Sequence, residues 1–127
     1  MISAVFLLTF VFSVCNIVYM YLMQQGLYFD FYNEEQATYI IFLAYISWLL
    51  MSYAMKKFVI DDEDFSIKSV FTTAPLLGLV IYVCCNVVLL SVNSDWTPML
   101  ALYDTIFGVS MFMFVSLFAL IFKPYIN

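Results

Sequence analysis

Four long apolar stretches, residues 1–23, 37–55, 70–92 and 98–122, hold one acidic residue between them and no basic one. A helix rises about 1.5 Å per residue, so each stretch can cross a hydrocarbon layer roughly 30 Å thick. Lipid leaves only helices and closed barrels as spanning structures, and these runs lack the alternation of barrel strands. The expected fold is all-α: one domain, an integral membrane four-helix bundle with sequence neighbours antiparallel.

Composition agrees. Hydrophobic residues make up 66% of the chain and charged ones 10%, too little polar surface to coat a water-facing shell. With no Arg and a net charge of -5, the chain lacks the clustered cations that nucleic-acid phosphates require. Residues 1–23 lack a basic leading segment and a small-x-small cleavage site, so they read as a retained span rather than a secretory signal. Cys15, Cys84 and Cys85 all fall inside spans and read as small packing residues, not as a disulfide framework. The chain has no His, and the spacing of its acids and thiols suggests no metal site, so neither metal nor cofactor is expected.

With four spans, the N-terminus, residues 56–69 and the C-terminus share one side. Lys56, Lys57, Lys68 and Lys123, the only basic residues, all lie there. The positive-inside rule makes that side, with both termini, cytoplasmic. The other side carries Asp30, Glu34, Glu35 and Asp95, with Phe31, Tyr32 and Trp96 at the interface level. Those acidic and aromatic loop residues, Asp30, Phe31, Tyr32, Glu34, Glu35 and Trp96, are candidate partner contacts. Thr97-Pro98 is a natural helix start, since Thr can cap and Pro at the first position loses no needed N–H. Thr72 or Thr73 with Pro75 offers a similar start for the third span, leaving residues 65–71 along the interface.

Polar residues inside spans are the best functional pointers in such a chain. Asn16, Asn86 and Asp104 each fall roughly 10 Å below the outer ends of their helices at about 1.5 Å per residue. They form a candidate intramembrane polar layer with Tyr82, and Tyr45 reaches the same level. Gly78, Tyr82 and Asn86 recur at intervals of four on the third span, and Ala101, Asp104, Thr105 and Gly108 share a face of the fourth. Small and polar residues on one stripe suit close helix contact, so Gly78, Ala101, Thr105 and Gly108 read as packing positions. No Lys reaches Asp104, which favours its neutral acid form, bonded to Asn16, Asn86 or Tyr82. Cys15-Asn16-Ile17-Val18 and Cys85-Asn86-Val87-Val88 echo each other at matching depths.

Enzymatic chemistry finds little support. Gly108-Val109-Ser110 lacks the second glycine of a nucleophile elbow, and there is no His to act as base. Asp104 has no second intramembrane carboxyl with which to share a proton. The expectation is a protein that is not an enzyme.

Gly78-Leu79-Val80-x-Tyr82-x-x-x-Asn86, Trp96 and Asp104-x-x-Phe107-Gly108, with Asn16-x-x-Tyr19 and Phe31-Tyr32 more loosely, resemble an uncharacterised family of four-span membrane proteins. That family is catalogued as domain of unknown function 2177. Its members typically carry Asp where this chain has Asn16 and Asn86, and Trp where it has Phe107. The resemblance implies the four-span architecture and no activity.

Two functional expectations follow. The first is a non-enzymatic structural or interaction protein of a membrane, whose partners beyond lipid are other membrane proteins. The bias toward Phe, Tyr, Ile and Asn fits an AT-rich genome, of a bacterium or of a large DNA virus. In a virus the fitting place is the internal membrane of the virion, against capsid proteins; otherwise it is the cell membrane. The second is a small oligomeric transporter or channel subunit using Asp104. A homo-oligomer is left open, since the chain has no clear Gly-x-x-x-Gly dimer face.

Overall fold

A computed structural model of the protein describes residues 3–27 and 37–126. Its elements are α1 (Ala4–Leu27), α2 (Ala37–Met55), α3 (Ile67–Phe71), α4 (Thr73–Val92) and α5 (Pro98–Phe122). All but α3 are long and apolar enough to cross a membrane. The arrangement is an all-helical bundle, as the apolar stretches imply.

Two helices, α2 and α5, have the bounds expected from sequence. At the start of α5 the Thr97 hydroxyl accepts the Leu100 N–H at 3.2 Å, and Pro98 takes the first helical position. Elsewhere the boundaries shift for physical reasons. The first helix runs on to Leu27, because Gln24 and Gln25 are good helix formers. The expected charged loop begins late: α2 continues through a π turn, Lys56–Ile60, which carries Val59 into the core with no exposed surface. Asp61 closes that turn, its N–H donating to the Lys56 carbonyl at 2.8 Å and its carboxylate pairing with the Lys56 ammonium at 2.6 Å. Thr72 does not cap α4; its hydroxyl donates back to the Lys68 carbonyl at 2.8 Å, as the chain turns directly from α3 into α4.

Of residues 65–71, expected along an interface, Ile67 and Phe71 are exposed, Val70 is buried and Phe65 is 4% exposed. Lys123 covers it. The Lys123 ammonium lies 5.3 Å from the Phe65 ring centroid and donates to the Phe65 carbonyl at 3.4 Å. A cation over an aromatic face makes burial of Phe65 favourable beside the charged loop.

The core gathers at the end of the bundle where both termini lie. Leu8, Val11 and Phe12 of α1 meet Met55 and Val59, Val70 and Ala74, and Met111, Phe112, Val115 and Ala119 of α5. Phe12 and Phe112 pack ring against ring, 5.1 Å between centroids and tilted 59°. Helices α4 and α5 share the most extensive contact, and α1 packs on both α2 and α5. Toward the other end, α4 and α5 are joined among the described residues by the polar group around Asn86.

Candidate functional site

The sequence stripes of α4 and α5 face each other. Gly78, Tyr82 and Asn86 are buried on α4, and Ala101 and Gly108 are buried on α5. Two glycines set the approach. A β-carbon at Gly108 would overlap the ring of Tyr82, and one at Gly78 would stand 3.0 Å from Phe112. The absent side chains therefore let a tyrosine and a phenylalanine lie flat on the neighbouring backbone.

Above Tyr82, Asn86 is 3% exposed and joins three segments of the chain. Its Nδ2 donates to the Tyr82 carbonyl at 2.8 Å, to Asp104 Oδ2 at 2.8 Å and to Thr105 Oγ1 at 3.3 Å. Its Oδ1 accepts the indole N–H of Trp96 at 2.8 Å. The orientation of the amide follows from its neighbours. An indole N–H only donates and a carbonyl only accepts, so oxygen must face Trp96 and nitrogen must face Tyr82 and α5. The side chain is engaged at both ends.

Asp104 meets a second group from α1. The Tyr19 hydroxyl lies within electrostatic reach of the Asp104 carboxyl, yet without the geometry of a hydrogen bond. It is the one buried side-chain polar atom without a hydrogen-bond partner among the described residues. Its ring is fixed by stacking on Phe107 of α5, 3.7 Å between centroids and 8° from parallel. Asn86 Nδ2 holds the same carboxyl through its Oδ2 at 2.8 Å.

The four residues of the expected polar layer are thus only partly brought together. Asn86, Asp104 and Tyr82 form one cluster, with Thr105 and Trp96. Asn16 stands apart: its Nδ2 donates to the Phe12 carbonyl at 2.8 Å and to Met111 Sδ at 3.1 Å. The echo between Asn16 and Asn86 is real at one level, since both amides return a hydrogen bond to the carbonyl four residues back. Their long-range partners differ. Tyr45 does not reach the layer and is 47% exposed.

Trp96, expected among the partner-facing loop residues, is turned inward, 9% exposed with its indole N–H bonded to Asn86. Asp30, Phe31, Tyr32, Glu34 and Glu35 lie outside the described residues. Polarity alone did not single out Tyr19, which entered only through the Asn16-x-x-Tyr19 resemblance. Its three-residue offset from Asn16 places it on the same face of α1, and that is the signal that finds it.

The cluster holds one carboxyl, two phenols, a threonine hydroxyl, an amide and an indole, with no cation bonded to them among the described residues. No group of acids, cysteines or histidines suited to a metal occurs among the described residues. Such a set can hydrogen-bond, orient and exclude lipid; it contains no activated nucleophile. Compared with protein-family models, curated proteins and solved structures, the chain matches none of them.

Proposed function

We propose that this chain is an integral membrane protein with a structural or interaction role, its termini and its lysine-bearing loop on the cytoplasmic side. Four helices of spanning length support the membrane placement, and the grouping of Lys56, Lys57, Lys68 and Lys123 supports the orientation. The observation that carries the role is the closure of Asn86: its amide is spent within the chain, on Trp96, Tyr82, Asp104 and Thr105. A polar cluster satisfied in this way acts as an internal fastener of the bundle. The acidic and aromatic residues Asp30, Phe31, Tyr32, Glu34 and Glu35 are the partner contacts in this reading. Where the source is a virus with an internal membrane, those contacts meet capsid proteins. The likeness to the uncharacterised four-span family belongs to the same proposal.

The test is native mass spectrometry of the protein extracted gently from its own membrane, wild type beside Asp104→Asn. Recovery of both within one defined assembly is the expected result, because an amide replaces a neutral acid in the fastener. A folded Asp104→Asn that leaves the assembly overturns the reading.

One observation favours a second reading. The unpaired Tyr19 hydroxyl beside Asp104 is where a proton or a small polar ligand would enter the cluster. In that case the chain works as a subunit of an oligomeric transporter. Proton flux into liposomes that Asp104→Asn abolishes would establish it.

A further inference from the structure

The bundle is built as two pairs of helices. α1 packs mainly on α2 and α4 mainly on α5, while the second helix reaches α4 and α5 chiefly through its π turn, Lys56–Ile60. Burial on the first pair ends abruptly. Among the described side chains, Phe12 is the last buried residue of α1 and Ser52 the first of α2, so residues 13–23 and 41–51 bury none. The second pair stays closed over the same half, with Asn86, Trp96 and Ala101 buried. Both helices of the first pair carry bending features at that border. In α1 the side chains of Thr9, Ser13 and Asn16 each bond the carbonyl four residues back, at 2.7, 2.6 and 2.8 Å. In α2, Ser52 does the same to Trp48 at 2.7 Å, and the π turn follows. Side chains that bond helix carbonyls in this way favour bending, and π turns are common kink points.

We propose that α1 and α2 form one arm that swings away from α4 and α5 at the Trp96 end, pivoting on the core near the termini and uncovering Tyr19 and Asp104. The pivot is the buried cluster of Phe12, Met55, Val59 and Phe112, which holds both pairs together. Beyond Phe12 the joint is slight. There α1 reaches α5 through the Asn16 amide on Met111 Sδ, at 3.1 Å, and the Tyr19 ring on Phe107, at 3.7 Å. A thioether is a weak acceptor, so the ring stack is the main latch. Phe107 follows Asp104 by three residues, on the same face of α5, so the ring seated on it stands beside the carboxyl.

The latch is poised. Stacking favours the closed arm, but closure seals the Tyr19 hydroxyl away with no hydrogen-bond partner among the described residues. Opening returns that hydroxyl to a surface where water or a lipid headgroup can pair it. Two opposed effects of similar size meet on one side chain, and such a balance leaves both states populated. In the transport reading this swing is the gate to Asp104; in the structural reading it lets the bundle adapt to its partners.

Distances between nitroxide pairs measure the swing, on the full chain in lipid nanodiscs with Cys15, Cys84 and Cys85 replaced by Ala. Neither assembly nor flux enters this readout, so the swing and the two functional readings stand or fall separately. Labels at Leu22 and Leu102 span the helix pairs at the Trp96 end, and labels at Phe6 and Ile121 span them at the termini. Labels at Leu22 and Ile41 lie within the arm, and all five sites are exposed. The expected result is two distances for the first pair of labels and one for each of the others. Tyr19→Phe keeps the ring and drops the unpaired hydroxyl, and should lower the longer-distance population several-fold. Phe107→Ala removes the seat of the ring and should raise it; Tyr19→Phe decides the matter if that variant does not fold. A single distance at the Trp96 end, equal spread at both ends, two distances within the arm, or a larger open population in Tyr19→Phe overturns the proposal.

Discussion

The indole N–H of Trp96 meets the side-chain oxygen of Asn86 at 2.8 Å, tying the residue just before α5 to the interior of α4. The same amide reaches Asp104 one helix away. One side chain thereby fixes the turn, its register and the depth of the Asp104 carboxyl.

Removing that amide should be costly. Asn86→Leu strips partners from Trp96, Asp104 and Thr105 together and is expected to destabilise the protein by about 2–3 kcal/mol, since buried polar groups left unpaired cost about 1–3 kcal/mol. Trp96→Phe removes the indole N–H that Asn86 accepts and should cost about 1 kcal/mol through that bond. Unfolding titrations in mixed micelles measure both. An Asn86→Leu loss no greater than that of Trp96→Phe would contradict the hub.

Gly108→Ala drives a methyl group into the ring of Tyr82. The expected loss is about 1–3 kcal/mol, the usual cost of overpacking. Tyr82→Leu should relieve most of it, so a double-mutant cycle on this pair will show strong coupling. Additive losses would mean that the two residues do not touch.

Near the termini, packing should outweigh charge. Phe65→Ala empties a buried site and is expected to cost about 3–4 kcal/mol. Lys56→Ala breaks an ion pair whose partners are 27% and 44% exposed, and should cost less than about 1 kcal/mol. Thermal unfolding ranks the two directly.

Tyr19→Phe separates the two functional readings. If the hydroxyl is only a leftover of the Phe107 stack, its removal relieves an unpaired buried group and raises stability by up to about 1 kcal/mol, with assembly intact. Loss of proton flux in the same variant, with its fold preserved, would instead make Tyr19 part of a path to Asp104.

Much of the architecture was legible because the apolar runs are long and their ends are marked. Thr97-Pro98 declares the start of α5, and the Gly78/Tyr82/Asn86 stripe declares the face of α4. The partner of each stripe was harder to read. Outside those stripes the spans are bulky and apolar, so hydropathy carries no signal for which helix sits beside which. Asn16 illustrates the limit. Depth alone put it with Asn86, while rotation about α1 turned its amide toward Met111. Phe65 and Val59 were hidden for another reason: both lie within two residues of charges, and only tertiary contact shows that the chain folds them back inside.

The bonds from Asn86 to Trp96, Asp104 and Thr105 join residues only 10, 18 and 19 positions apart, and this bears on biosynthesis. An aspartate at the centre of a lone helix opposes entry into a bilayer by roughly 2.5–3.5 kcal/mol. Here the group that receives it emerges from the ribosome first, on the preceding helix. In a bilayer the last two helices would enter as a pair, the acid already shielded by its amide, with no contribution from the first half of the chain.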